Sequence, residues 1–386
     1  MSRFLFLTWN GGGNQPPAVA IAQALRKHGH EIIFAGYENQ RTYFNERGFR
    51  FVLLGRSSDA WRDEAPEHMF AIKLRTVWAS SDHLSDVARL ISQEHCDILV
   101  VDCLMFGALA AAEKTRVPTM ALIHSAPGAL MPPKGQFESL LLGSVNEVRS
   151  QAGLTPIGNL WDAWARFPAL SNSVRQLDPL ASQAPESFIY LGPMADEASP
   201  SGWTSPWSAE DLRPLVLVSF STGPYWDQSS RILRTLDALS GCNCRAFVTA
   251  GGLEIDPSAV PDNVIVVARI RHDEILPHAA VTVTHAGHGT VTASLKYGVP
   301  LLCLPNPVAD QPILAAQVRD LGCGLSLDGD KAKPPEIKEA IDRLISEPSF
   351  RANARSLADI ISESPGVSTA VSNLERLTRP RTAAAE

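Results

Sequence analysis

Apolar and polar positions along this chain fall into two recurring kinds of stretch, short aliphatic or β-branched runs and longer segments with helical spacing. Their alternation predicts a β/α order throughout. In the first half, residues 4–8, 31–35, 51–54, 98–102 and 119–123 read as strands. The last two are continuously apolar, as in parallel strands covered on both faces. Helical spacing over 18–27 sets Val19, Ile21, Ala22 and Leu25 on one face, and further helices are predicted at 84–94 and 106–115. Residues 10–17, rich in glycine and proline, read as a loop. A second alternating set has strands at 215–220, 245–249, 264–267, 281–284 and 301–304, with helices at 229–239, 335–346 and 367–377. Between the two sets, MADEASPSGWTSPWSAEDLRP (194–214) has no periodicity and reads as an interdomain linker. The pattern also loosens at 57–78 and 127–177.

The run VTVTHAGHGTVTASLKYG, 281–298, carries the strongest chemical signal. It reads as strand, glycine-rich turn and two-turn helix, with Gly287 and Gly289 permitting a tight turn and Gly298 closing the helix. Free N–H groups at a helix start, together with the positive end of the helix dipole, favour a phosphate or diphosphate. His285 and His288 flank the turn, and each can donate a hydrogen bond through an imidazole N–H. The same residues also suit an ordinary βα turn.

Composition narrows the classes. A length of 386 residues points to two domains, and a hydrophobic content of 45% supplies a core for each. A net charge of −7 and a pI near 5.8 exclude nucleic acid as the main partner, while one diphosphate held by backbone amides stays compatible. Cysteines 96, 103, 242, 244, 303 and 323 form no CxxC pair and have no histidine at metal-binding spacing, so they are expected as buried thiols. The chain enters directly into the strand RFLFLTW without a leader pattern, and no apolar run reaches about 18 residues. A cytoplasmic protein without a membrane partner is expected. His28, His30, His68, His83, His95 and His278 fall at helix ends or in loops and are expected to be solvated.

THAGHGTVTASLKYGVPLLCLPNPVADQPILAAQV resembles the donor-binding signature of GT-B glycosyltransferases of the family-1 type, close to bacterial enzymes that decorate secondary metabolites with UDP- or TDP-sugars. His285, Gly287, Gly289, Thr290, Gly298, Val299, Pro300, Pro305, Asp310 and Gln311 stand in the family's order and spacing. The resemblance, weaker over the rest of the chain, implies an α/β GT-B fold of two Rossmann-like doubly wound domains facing across a cleft. The implied division is 1–195 for the acceptor, 196–213 as linker, 214–365 for the nucleotide sugar, and 366–386 as a C-terminal helix and tail. It further implies that His285, His288 and the amides of Gly287, Gly289 and Thr290 hold the diphosphate, and that Asp310 and Gln311 bind sugar hydroxyls. Alternatively, Asp310 caps the helix beginning near Pro312. Arg269 and Ile270 lie where relatives carry the nucleobase, and a guanidinium can stack on uracil or thymine alike. Ser221 and Thr222 either reach the phosphates or satisfy their own turn. Trp9, Gly13, Trp61 and Trp78 are assigned to the acceptor side; Trp61, Trp78, Trp161 and Trp164 equally suit core packing.

Transfer with inversion benefits from a general base acting on the acceptor hydroxyl. The family's base is commonly a His, sometimes an Asp, in the loop after the first strand, but there this chain has Asn14, and no His or Asp lies within 3–27. His124, at the end of TMALIH, and Asp102, at the end of the neighbouring strand, are the substitutes, against readings as a core histidine and a strand-end cap. An acceptor amine positioned by Asn14 would need little deprotonation. The expected protein is an inverting, metal-independent glycosyltransferase with no cofactor beyond its nucleotide sugar, a hydrophobic, polycyclic small-molecule acceptor, and a monomeric or homodimeric state. The alternatives are a catalytically silent auxiliary protein and a non-hydrolysing sugar-nucleotide epimerase.

Overall fold

A computed structural model describes residues 1–60, 73–195, 204–220 and 228–378. Two compact units emerge: Met1–Arg175 with Leu180–Glu197 and Pro365–Glu386, and Gln176–Pro179 with Ala198–Ser364. In the first, strands β1 (Arg3–Leu7), β2 (Glu31–Gly36), β3 (Arg50–Leu53), β4 (Ile98–Asp102), β5 (Thr119–Ile123), β6 (Ala169–Ser171) and β7 (Phe188–Tyr190) form a parallel sheet in the order β3-β2-β1-β4-β5-β6-β7. The second unit repeats this logic with β8 (Leu215–Ser219), β9 (Arg245–Thr249), β10 (Val264–Val267), β11 (Ala279–Thr284), β12 (Leu301–Cys303) and β13 (Gly324–Ser326) in the order β10-β9-β8-β11-β12-β13. Both sheets reverse direction after their third strand, the fourth returning to the other side of the first. At such a switch point the loops leaving the carboxyl ends diverge and open a crevice for ligands.

Helix Gln15–Lys27 starts three residues before the predicted 18, because Pro16 and Pro17 occupy its first turn, where no intrahelical N–H is required. Strands β6, β7 and β13 have three residues each, too few for an alternation to register in sequence. The loosened segment 127–177 contains helix Gln136–Gln151, whose amphipathic face includes Leu141, Val145 and Val148. In the second unit, helix Gln311–Asp320 begins beside the expected Pro312, whereas helix Pro348–Ser362 was not anticipated.

Trp78, Trp161 and Trp164 are all buried, as the core-packing alternative required. Trp61 lies outside the described residues. Two of the histidines are not solvated: His30 has only 11% of its side chain exposed, and His83 is fully buried, with its Nε2 2.9 Å from the Tyr37 hydroxyl, and burial pushes its pKa down to about 3. A helix start normally faces water, but this one packs beneath the loop after β2. His68 also falls outside the described residues. All six cysteines are buried. Among the described residues no helix is long and apolar enough to cross a membrane.

Helix Gly366–Thr378 belongs to the first unit although it ends the chain. Ala370, Val371 and Leu374 share one core cluster with Phe4, Phe6, Ile21 and Val100. At its polar edge Glu375 Oε1 meets His28 Nδ1 at 2.9 Å and His30 Nε2 at 3.1 Å. Leu374 is fully buried. Leu374→Ala is therefore expected to destabilise the first unit by about 2–5 kcal/mol, seen as a lower Tm of that unit in calorimetry.

Candidate active site

Three carboxyl ends of the first sheet converge: Thr8 and Trp9 after β1, Asp102 ending β4, and His124 after β5. Asp102 is 3% exposed, and both carboxylate oxygens are used. Oδ1 accepts from Trp9 Nε1 and from the Leu104 backbone N–H, each at 3.0 Å. Oδ2 accepts from Asn14 Nδ2 at 3.1 Å and lies 3.0 Å from His124 Nδ1. A carboxylate without water has to be satisfied by such donors, and four of them do it. Trp164 Nε1 donates to the Cys103 carbonyl at 2.7 Å and holds the chain just beyond β4.

Asn14 occupies the N-cap position of Gln15–Lys27 but makes no capping bond with its side chain. Its Oδ1 accepts from Gly11 N–H at 3.1 Å, while its Nδ2 also donates to the Trp9 carbonyl at 2.9 Å. The amide is consumed in holding the loop and Asp102. Asn14, Asp102 and His124, the three residues expected to share the chemistry, are thus brought into direct contact. Trp9 is nearly fully buried and acts here through its indole N–H on Asp102, with Trp78 packed edge-on at 5.9 Å. Lys73 Nζ lies 5.4 Å from the Trp9 ring, and burial pulls its pKa down to about 8. Gly13 is exposed, and a Cβ added there would meet nothing within 4 Å.

Burial opposes a charge on His124, but the Asp102 carboxylate outweighs it and holds the His124 pKa well above the ordinary value. Burial also raises the Cys103 thiol, so the sulfur 3.6 Å from His124 Nδ1 stays protonated near neutrality. Asp102, Cys103 and His124 present ligand-type atoms within 4.8 Å of one another. With Nδ1 facing Asp102, the cluster is connected as a hydrogen-bonded acid–base group, and His124 keeps Nε2 for an external proton.

The second unit assembles its groups at the carboxyl ends of β8, β10, β11 and β12. After β11 the left-handed residue of the turn is Ala286, with φ 64°, and not a glycine as the sequence suggested. Gly287 is the N-cap of helix His288–Lys296, which therefore begins two residues earlier than predicted and has no side-chain cap over its first amides. A Cβ at Gly287 would come within 2.5 Å of His285 Nε2, whereas at Gly289 it would meet nothing within 4 Å. No neighbouring atom of the described residues explains the glycine at 289; an open approach to the helix start does. His285 Nδ1 is buried and has no hydrogen-bond partner among the described residues. Burial, reinforced by the Arg231 cation, pulls its pKa down to about 4, so the ring is neutral near pH 7 and donates from one nitrogen. His288 is buried at the first helical position, where its carbonyl accepts from Thr292 Oγ1, and Thr290 lies half-buried one turn in.

In the loop after β12, Asp310 is the N-cap of Gln311–Asp320 yet makes no side-chain capping bond, so the capping alternative is not realised. Gln311 Oε1 accepts from the Asn306 backbone N–H at 3.1 Å and from Asn306 Nδ2 at 2.8 Å. After β10, Arg269 is exposed, and Ile270 is half-buried against the cluster of Leu215, Leu217 and Val299. Ser221 and Thr222 lie outside the described residues. Sequence reasoning missed His272, whose Nε2 lies 3.0 Å from Ser219 Oγ, and the buried trio Gln228, Arg231 and Asn306. Arg231 had left a signal, since it falls in phase with Thr235 and Ala238 on the buried face of an amphipathic helix.

Two parallel α/β units of Rossmann order, one with an uncapped helix start beside a buried histidine, define a protein of the GT-B class. Comparison with known proteins agrees. Residues 234–377 match the family described as "Erythromycin biosynthesis protein CIII-like, C-terminal domain". The chain is 26% identical to the 4'-demethylrebeccamycin synthase of Lentzea aerocolonigenes, covering 97% of this chain and 99% of that one. It shares its fold with the glycotransferase of kitacinnamycin, at TM-score 0.80 and 19% identity over 97% of this chain and 99% of the other. The glycosyltransferase VinC in complex with dTDP is similar at TM-score 0.71 and 19% identity, over 97% of this chain and 99% of that chain. The chain thus resembles glycosyltransferases of secondary metabolism in sequence and shares the GT-B fold with them.

The His124–Asp102 pair makes a titration prediction. Because the folded pKa is raised, the pair stabilises the fold fully below the ordinary value of 6.5 and loses this contribution as pH rises through the folded value. In Asp102→Asn, burial acts without its counterweight. The His124 ring resonances in NMR should titrate above 6.5 in the native protein and below it in the variant. A native ring that titrates at or below 6.5 would refute the pairing.

Proposed function

We propose that this glycosyltransferase moves a sugar from a uridine or thymidine diphosphate sugar to a hydroxyl of a hydrophobic small-molecule acceptor, with inversion and without a metal ion. His124 is the general base. Its Nε2 takes the hydroxyl proton while the oxygen attacks the anomeric carbon, the bond to the diphosphate breaks, and Asp102 stabilises the imidazolium that forms. The observation that carries this reading is the buried carboxylate of Asp102, bonded on one side to Asn14 and on the other to His124. A histidine–carboxylate pair is thereby kept although the usual base position holds an amide. An intact pair of this kind speaks against the catalytically silent alternative.

On the donor side, neutral His285 and the amides of Gly287 to Thr290 would hold the diphosphate, with charge stabilisation from the helix start. The thymidine diphosphate of the VinC complex is consistent with such a ligand. Asp310 and Gln311 would address the sugar, and Arg269 with Ile270 the base. Trp78 and Gly13 would border the acceptor, with Trp9 positioning Asp102.

His124→Ala is expected to lower kcat roughly 100- to 10,000-fold with little change in KM for the nucleotide sugar. His285→Ala is expected to raise donor KM roughly 10- to 100-fold. Asn14→Ala should fall between native and His124→Ala, since it loosens Asp102 without removing the base. Steady-state kinetics with a donor found by thermal shift and an acceptor found by mass spectrometry check all three. Near-native kcat in His124→Ala would show that the acceptor needs no base.

The native rate should also rise with pH along a limb centred above 6.5, because only the deprotonated ring accepts a proton and Asp102 holds its pKa up. A kcat profile that is flat across that range would contradict the assignment.

A further inference from the structure

Arg231 is a buried cation that the proposed chemistry leaves without a role. It is 4% exposed, and its guanidinium makes four hydrogen bonds to protein acceptors. Nε donates to the Gly329 carbonyl at 2.9 Å, Nη2 to Asp330 Oδ1 at 2.6 Å, and Nη1 to Gln228 Oε1 at 2.8 Å and to Asn306 Oδ1. Holding such a charge out of water is costly, and one carboxylate partner that is itself largely exposed does not explain it. What the site gains is directionality.

A guanidinium has five N–H donors and no acceptor. Any amide that faces it must present oxygen. Asn306 therefore turns Oδ1 toward Arg231, and its Nδ2 is forced to the other side, where it donates to Gln311 Oε1. The Asn306 backbone N–H donates to the same oxygen at 3.1 Å. Gln228 reinforces the choice, with Oε1 on Arg231 and Nε2 3.5 Å from Asn306 Oδ1. Every amide in the chain Arg231, Asn306, Gln311 thus has a fixed orientation. Gln311 is left with its NH2 group pointing away from the network, and no hydrogen bond among the described residues uses that nitrogen.

We propose that Arg231 and Asn306 are positioning residues that lock Gln311 as a hydrogen-bond donor toward the donor sugar, so that Gln311 recognises a sugar oxygen as acceptor. Asp310, one residue earlier, supplies the acceptor of the pair. Together they distinguish a hydroxyl that can both accept and donate from a substituent that can do only one. Arg231 also lies close enough to His285 to disfavour a charge on that ring, which links the sugar loop to the phosphate loop through one side chain. The inference rests on the donor-site reading above and assigns polarity within it.

The test is the ratio of two dissociation constants by calorimetry, one for thymidine or uridine diphosphate and one for the matching nucleotide sugar. The ratio cancels effects on the diphosphate itself. Asn306→Ser removes the relay, and Asn306→Asp keeps the oxygen on Arg231 but turns the group facing Gln311 from donor into acceptor. Because its carboxylate pairs with the buried cation, the second variant keeps the test open should the first lose stability. Both variants, and Gln311→Ala, should lose about tenfold in the preference for the nucleotide sugar. The Asn306→Ser, Gln311→Ala double variant should lose no more than either single variant. Asn306 variants with the native ratio, alongside a shifted ratio in Gln311→Ala, would overturn the positioning role alone. A native ratio in Gln311→Ala would overturn this inference together with the sugar-binding role of Gln311. Failure of the native protein to bind either diphosphate would instead refute the donor-site reading.

Discussion

The first unit is organised around one buried carboxylate. Asp102 ends the strand next to β1 at the point where strand order reverses, with almost no access to water. A charge in that position is tolerated only if protein donors replace the lost hydration. Trp9 and Asn14 from the loop after β1, Leu104 from just beyond β4 and His124 from the end of β5 supply the replacement. The geometry of this cluster follows from this requirement. The glycine-rich loop after β1 must bend back so that an indole and an amide reach the carboxylate, and β5 must end where the imidazole meets its second oxygen. The same contact sets the electrostatics, because a histidine this buried would be neutral without the carboxylate beside it.

Polarity in the second unit is arranged by the opposite charge. Arg231, a buried cation, orients a line of amides along the loop after β12 and disfavours a charge on His285. A neutral imidazole and a set of backbone amides are suited to a diphosphate whose charge changes as it leaves, since none of them must be discharged or resolvated during transfer. In both halves, then, a single desolvated charge fixes the hydrogen-bonding direction of neutral groups around it. The two differ in consequence. The carboxylate raises the proton affinity of its partner, whereas the guanidinium gives its partners a fixed donor or acceptor sense.

The fold was largely legible in the sequence. Buried parallel strands such as 98–102 and 119–123 carry uninterrupted apolar runs, and the break at 194–214 separates two sets of them. Of the three-residue strands only β12 was seen, within the apolar run 301–304, because alternation needs more positions than β6, β7 and β13 contain. Prolines 16 and 17 were read as loop residues although they open a helix. Among site residues, His285 and Gly289 were visible because glycine and histidine at fixed spacing announce an anion-binding turn. Ala286 in the left-handed position was not, since side-chain identity there gives no warning. His124 and Asp102 could be nominated from strand ends, but their contact depends on sheet order. The amide relay of Gln228, Asn306 and Gln311 joins residues up to 83 positions apart through a guanidinium and leaves no local pattern beyond an arginine on an apolar helix face.

The central claim is that the base has moved from the loop after β1 to the end of β5 while its carboxylate stayed in place. Because Asp102 Oδ2 touches both Asn14 and His124, the two positions are interchangeable in principle. The most direct measurement compares kcat of His124→Asn with that of the exchange variant that combines His124→Asn and Asn14→His. The account predicts that the exchange recovers at least about tenfold of the lost rate, as expected for a general base restored beside the same carboxylate. A folded exchange variant no faster than His124→Asn would contradict it.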